Sequence, residues 1–368
     1  MIKQIRAQIE KSLETFIDNI KKEYKLHLVN PILFESIREF ALRKGKRIRP
    51  LLLILSYKGY CPSNKKIPPS LYTASTCIEL LHNFMLIHDD IIDRSNLRRG
   101  KPTLHRILAR SITTKGKEKL GFDLGIIAGD IVYALAIDAF LSMKEDPLRK
   151  EKALKYFIQT AAFTAMGEFI DTIHGVEKLN KIEEKDVFLN YTLKTARYTF
   201  DCPLVVGAIL AGAKSTDIKK LSELGILIGQ AFQIQDDIIG IFDSQKNIGK
   251  SILSDLAESK KTLLVCHAYH ALKGGEKALL KKYFNKPQKK YADLMAIRKI
   301  FLQAGSLTYS LKEVASRLTK TLKILDTLYM KALHKKMIRQ AIFNLFSPCH
   351  RIARQSGLEI EAPFIFLN

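Results

Sequence analysis

Several things are scarce in this sequence, and each scarcity narrows what the chain can be. Its five cysteines (Cys61, Cys77, Cys202, Cys266 and Cys349) are odd in number and form no CxxC pair. A thiolate zinc site or a disulfide framework is therefore not expected. Set in apolar company, as in STCIEL, they read as small core or surface residues of a reducing compartment, and the cytoplasm is the expected location. A long hydrophobic run free of charge is also missing. The most apolar window, FDLGIIAGDIVYALAIDAFL at 122–141, carries Asp123, Asp130 and Asp138. Three carboxylates are costly in lipid, so the window reads as a buried helix of a large bundle. The charged opening MIKQIRAQIEKSLETF does not read as a secretory leader. Strand-like alternation is rare, and no repeat of 20–50 residues is visible.

Acidic residues are the remaining shortage. Lys and Arg outnumber Asp and Glu by 60 to 37, a formal charge of +23. That balance suits phosphorylated substrates, an anionic membrane surface or a polyanion. A bland alternative, helices solvated by Lys, accounts for the excess equally well. A nucleic-acid partner is not expected, because no recognition motif or aromatic-basic cluster accompanies the charge.

Helical spacing of apolar residues, by contrast, recurs almost everywhere. The pattern predicts helices near 3–28, 30–43, 47–58, 70–94, 122–144, 148–176, 181–212, 215–244, 258–273, 275–284, 290–303, 307–331 and 334–346. No break is long enough for a domain linker. The expectation is an all-α protein with one large helical domain over 1–346 and an irregular tail over 347–368.

Against this background two segments stand out: LIHDDIID at 86–93 and IQDDIIG at 234–240, which hold the chain's only Asp-Asp pairs. On a helix Asp89 and Asp93 lie on one face, and adjacent carboxylates repel unless a cation separates them. Hard oxygen donors with no nearby cysteine or paired histidine favour Mg²⁺, which binds through one or two carboxylates and substrate phosphates. A solvated acidic face fits less well, because the segment is apolar up to the first Asp. Downstream, RSNLRRGKPTLHR places Arg98 and Arg99 about one and a half helical turns past Asp93. Upstream, RKGKRIRP at 43–50 forms a basic knot. Arginine beside metal-binding aspartates suits a ligand whose phosphate oxygens bridge both.

GKRIRP, LIHDDIIDRSNLRRGKPT, KTA at 194–196, FQIQDDIIGIFD at 232–243, GK at 249–250 and SDLAESKKT at 254–262 follow in that order. Over roughly residues 20–345 the chain resembles the trans-isoprenyl diphosphate synthases (polyprenyl synthetase family), and most of all those making geranylgeranyl diphosphate. The resemblance implies the isoprenoid synthase fold, an all-α bundle around a central cavity, and a homodimer. It implies three Mg²⁺ ions held on an allylic diphosphate by Asp89, Asp93 and Asp236, with Asp90 and Asp237 supporting. Arg98, Lys194, Lys250 and Lys260 match the positions that hold that diphosphate. Lys46, Arg49, His82 and Arg99 match the pocket for isopentenyl diphosphate. Thr195 and Gln233 match positions whose oxygens face the carbocation left when the allylic diphosphate departs. Peripheral membrane association is compatible with the basic surface.

Two departures from the family pattern are evident. Gly240 stands where the second motif commonly ends in Asp, and Asp243, seven residues past Asp236, is a candidate to fill in. Glu168 stands where Gln is usual, with Asp171 matching. For chain length, Met85 lies about 6 Å beneath Asp89 on the same helix face, whereas Phe84 is roughly 140° round. Geometry nominates Met85 as cavity floor, and the family pattern nominates Phe84. A C20 product is expected, with C25 or longer, C15 or a non-catalytic subunit as alternatives. A class I terpene cyclase would need neither the second DD nor the basic pocket.

Overall fold

The computed structural model describes residues 1–113, 115–243, 260–286 and 288–358. Apart from one two-stranded hairpin, the regular structure among them is helical. The helices are α1 (Ile2–Glu23), α2 (Leu26–Val29), α3 (Pro31–Ala41), α4 (Ile48–Tyr60), α5 (Ser70–Ile92), α6 (Leu104–Arg110), α7 (Lys117–Leu141) and α8 (Pro147–Val176). They continue with α9 (Glu184–Asn190), a π-helical stretch (Tyr191–Asp201), α10 (Cys202–Ala211) and α11 (Ser215–Phe242). Then follow α12 (Leu263–Ala271), α13 (Gly274–Phe284), α14 (Tyr291–Gln303), α15 (Ser306–Asp326), α16 (Ala332–Phe343) and α17 (Ser347–Gln355). The chain forms two compact units, Met1–Ile158 with Pro203–Ile218 and Met330–His334, and Gln159–Cys202 with Lys219–Tyr329 and Lys335–Asn368.

Local chemistry explains the helix starts. Asn30 caps α3, its side-chain oxygen accepting from the amides of Ile32 (2.9 Å) and Leu33 (3.4 Å), with Pro31 at the first helical position. α9 opens with a capping box, in which the Glu183 amide donates to Asp186 at 2.9 Å. The predicted helix over 3–28 instead ends at Glu23, because Lys25 adopts a left-handed conformation (φ 51°).

In the first unit α4 is apolar and buried on nearly every side, Leu51 through Leu55 being at most 2% exposed. α5 packs on α4 and α7 through Leu71, Cys77, Ile78, Leu80 and Leu81. α7, expected as a buried helix, is buried along one side and exposed along the other. Ala128, Val132, Leu135, Ala136 and Ala139 are buried, while Ile126, Ile127 and Leu141 on the opposite side are exposed. α7 is the one helix among the described residues long and apolar enough to cross a membrane. Asp130 is exposed, with its carboxylate 3.7 Å from the His88 ring.

The predicted helix over 181–212 is three segments, α9 and the π stretch in the second unit and α10, from Pro203 on, in the first. The π stretch widens the backbone by one residue per turn, a feature that recurs at functional sites. Glycines allow its neighbours to approach. A Cβ on Gly167 of α8 would lie 2.3 Å from the Lys194 nitrogen, and one on Gly229 of α11 would lie 2.2 Å from the Ala196 Cα. The segment past residue 346, which shows no clean period in the sequence, begins as α17 with Cys349, Ile352 and Ala353 buried.

Candidate active site

α5 is apolar until its last turn and delivers Asp89 and Asp93 half-buried and Asp90 fully buried. The chain then departs from what the sequence predicts. α5 ends at Ile92, and Arg94 turns left-handed (φ 51°). Arg98 therefore does not lie one and a half turns further along a helix. It sits on a hairpin, Leu97–Arg98 against Lys101–Pro102, whose two turn residues are Arg99 (φ 55°) and Gly100 (φ 74°). Two successive positive-φ residues make the tight turn whose twist matches paired strands. The hairpin folds back so that Arg98 donates from Nη2 to Asp89 (2.7 Å) and from Nε to Asp90 (2.8 Å). Burial disfavours the Arg98 charge, but Asp89 and Asp90 outweigh it and hold the guanidinium protonated.

Two residues of the basic knot that the sequence reading does not single out support this arrangement. Arg43 is buried and donates to the carbonyls of Pro102 (2.7 Å) and Arg98 (3.4 Å), pinning the hairpin, while Glu39 holds Arg43 at 2.7 Å. Arg47, 2% exposed, is clamped by Glu79 at 2.7 Å and Glu10 at 2.9 Å. Their spacing of four in RKGKR was the available signal. Nothing in the sequence distinguishes a buried Arg from a solvated one.

Around this frame Arg49 is half-buried, and Lys46 and Arg99 are exposed. Arg99 donates to the carbonyls of Arg43 (3.3 Å) and Lys44 (3.2 Å). His82 is buried. Its pKa is held well below the usual range, first by burial and then by Arg49, Arg99, Arg98 and Arg47. His82 is thus a neutral imidazole at the edge of a strongly positive pocket suited to phosphate oxygens.

The second unit gathers Lys194, Thr195, Gln233, Asp237 and Lys260 around one recess. A hydrogen-bonded chain organises it. Thr195 Oγ1 donates to Gln233 Oε1 (2.6 Å), and Gln233 Nε2 donates to Asp237 Oδ1 (3.0 Å). The Tyr191 hydroxyl donates to Asp237 Oδ2 and accepts from the Leu263 amide (2.8 Å). Burial, then the neighbouring Asp237, pushes the Tyr191 hydroxyl far above its ordinary pKa, so it stays a donor. Tyr191 carries no sequence signal that would single it out. Asp236, one residue before Asp237, is exposed. Lys194 Nζ lies 2.6 Å from Asp171 and 3.0 Å from Glu168, and Asn190 donates to Asp171 at 2.7 Å. Burial raises the Asp171 carboxyl, but Lys194, Lys260 and the Asn190 hydrogen bond outweigh it and hold it below the usual range.

Asp243 does not serve as the substitute carboxylate considered for Gly240. It is buried and ion-paired with Arg351 of α17. Lys250 lies outside the described residues. Phe84 is wedged between the rings of His88 (4.6 Å) and Tyr133 of α7 (5.0 Å), and Met85 beside it is half-buried.

The carboxylates suit Mg²⁺. Asp89, Asp93 and Asp236 are oxygen donors within reach of water. Among the described residues no three acidic, His or Cys side chains converge into a cage of their own. An ion completed by water and substrate phosphates needs no such cage.

A geranylgeranyl diphosphate synthase of Sulfolobus acidocaldarius is 33% identical over 283 residues, covering 76% of this chain and 79% of its own. A geranylfarnesyl diphosphate synthase of Aeropyrum pernix is 32% identical over 272 residues, covering 72% and 78%. A crystal structure of geranylgeranyl pyrophosphate synthase from Corynebacterium glutamicum, complexed with isoprenyl diphosphate and magnesium, superposes with a TM-score of 0.86. That match covers 95% of this chain and 99% of the other at 24% identity, and it shows the fold to be that of an isoprenoid synthase. Residues 30–301 match the Polyprenyl synthetase profile, and the chain belongs to the polyprenyl synthetase family.

Proposed function

We propose that this protein is a trans-prenyltransferase that condenses isopentenyl diphosphate with an allylic diphosphate and yields chiefly C20 geranylgeranyl diphosphate. One observation carries the reading: Arg98 is folded back onto Asp89 and Asp90, beside a pocket of Arg49, Arg99 and neutral His82. Such a site offers two different phosphate environments, one acidic with a single arginine, the other basic throughout. The first suits a diphosphate that arrives with metal, and the second a diphosphate that arrives without it.

Asp89, Asp93 and Asp236 would hold Mg²⁺, three ions by the family resemblance, and the metal would supply the Lewis acidity that makes the diphosphate a good leaving group. Arg98 and Lys194 neutralise charge that accumulates on the departing oxygens, with Lys260 beside them. Thr195 and Gln233 present oxygens toward the allylic cation, and their mutual hydrogen bond sets the direction of both. Arg49, Arg99, Lys46 and His82 hold isopentenyl diphosphate so that its double bond faces the cation. Phe84 and Met85 limit the length of the growing chain.

The exposed apolar side of α7 (Ile126, Ile127, Leu141) supports a homodimer, since burying it against a second copy removes that surface from water. All five cysteines are buried and none pairs in a disulfide, in keeping with a cytoplasmic location. The Aeropyrum relative keeps a C25 product as the second reading. Incubation of the purified protein with Mg²⁺, isopentenyl diphosphate and farnesyl diphosphate, followed by chromatography of the dephosphorylated product, tests the proposal. A C20 alcohol is expected; no elongation, with or without Mg²⁺, overturns it.

A further inference from the structure

Lys194 is shared by two carboxylates that come from one helix. Glu168 and Asp171 are three residues apart on α8, hence on one face, and both reach the same ammonium, at 3.0 and 2.6 Å. Gly167 makes this contact unavoidable, because its bare Cα lets α8 press against the Lys194 backbone. Asp171 is further held by Asn190 and lies in the field of Lys260. The Lys194 and Glu168 side chains are 21% exposed and that of Asp171 16%.

The two carboxylates do different work. Asp171, with the shorter contact and a second donor in Asn190, is sufficient to orient Lys194. Glu168 adds a further negative charge at the longer distance, beside a recess that Lys194 lines together with Lys260 and Lys261. An ammonium has three N–H bonds, and two of them already point at carboxylates. A diphosphate that uses Lys194 competes with Glu168 for that ammonium and is repelled by its charge.

We infer that Glu168 is a positioning residue that weakens the grip of Lys194 on diphosphate, setting how tightly a diphosphate-bearing substrate or product is held. The inference rests on the proposed function, since it takes the recess to be a diphosphate site. It goes further in assigning Glu168 the opposite sense to a metal ligand: its charge lowers diphosphate affinity instead of raising it.

The test compares the full chain with Glu168→Gln, which keeps the acceptor oxygen and removes the charge. Binding of inorganic diphosphate with Mg²⁺ is measured by calorimetry at low and high salt, and allylic KM and kcat are measured in parallel. The dissociation constant is expected to fall about three- to tenfold in Glu168→Gln at low salt, with the gap narrowing as salt screens the repulsion. Allylic KM is expected to fall in parallel, and the Mg²⁺ concentration for half-maximal activity to stay unchanged. An unchanged or weakened diphosphate affinity, or a raised Mg²⁺ requirement, overturns the inference. A wild-type protein that binds Mg²⁺-diphosphate without elongating any prenyl chain would overturn the proposed function alone, because the affinity comparison reads Glu168 independently of turnover.

Discussion

Arg98 bridges Asp89 and Asp90 from the tip of a hairpin, with contacts of 2.7 and 2.8 Å, although the two aspartates differ completely in setting. Asp90 is fully buried, and Asp89 is 18% exposed at its side chain. The twin acidic pair is thus one structural carboxylate and one available to ligands. Asp90→Ala is expected to cost about 1–3 kcal/mol in urea unfolding, since it removes a fully buried acceptor and leaves the half-buried Arg98 guanidinium with Asp89 alone of the pair. Asp89→Ala is expected to cost less than about 1 kcal/mol yet lower kcat roughly a hundredfold. Equal stability losses for the two would contradict the division.

Arg99 is held at φ 55°, a backbone conformation that suits glycine better than a residue with a Cβ. Arg99→Gly is therefore expected to leave the melting temperature unchanged or slightly raised, while KM for isopentenyl diphosphate rises roughly tenfold or more. A KM equal to wild type would remove Arg99 from that pocket.

Gly167→Ala pushes a methyl group onto the Lys194 backbone, and overpacking of this kind costs about 1–3 kcal/mol. Gly175, on the same helix, has nothing within 4 Å of its would-be Cβ. Gly175→Ala is expected to be neutral or to stabilise by up to about 1 kcal/mol through helix propensity. Thermal unfolding of both variants checks the contrast.

Phe84 fills the space between His88 and Tyr133, with Met85 beside it. Phe84→Ala and Met85→Ala are each expected to shift the product beyond C20 in reversed-phase chromatography. Unchanged lengths in both variants would move the floor of the cavity elsewhere.

His105 is buried, stacked on Phe122 at 4.7 Å, and its pKa is depressed to about 4, first by burial and then by Arg106. The folded state resists protonation while the unfolded chain takes up the proton near an ordinary histidine value of about 6.5. Stability from this group is therefore complete above about pH 6.5 and declines as pH falls toward 4. His82, depressed in the same direction, adds to the slope. Denaturation midpoints at pH 7.5, 6 and 5 are expected to fall in sequence, and less steeply in His105→Gln.

How much of this was legible in advance follows from the range of each interaction. Helical class, the two acidic segments and the RRG stretch are local in sequence, and the 3.6-residue period puts Asp89 and Asp93 on one face without help from elsewhere. The basic knot was legible as charge but not as structure. Lys46 and Arg47 are adjacent lysine and arginine, yet one is exposed and the other is locked between Glu10 and Glu79, 37 and 32 residues away.

The amino-acid sequence alone determined that this chain is helical, that two apolar helices carry paired aspartates, and that arginines follow the first pair. Only the tertiary structure decided that Arg98 turns back onto Asp89 and Asp90, that Asp243 is bound to Arg351, and that Tyr191 and Gln233 orient Asp237. The physical reason is that a carboxylate's role depends on which donors reach it and how much water remains. Apart from Gln233, one helical turn before Asp237, these donors lie 8 to 108 residues from the carboxylates they reach, a separation that no local pattern encodes.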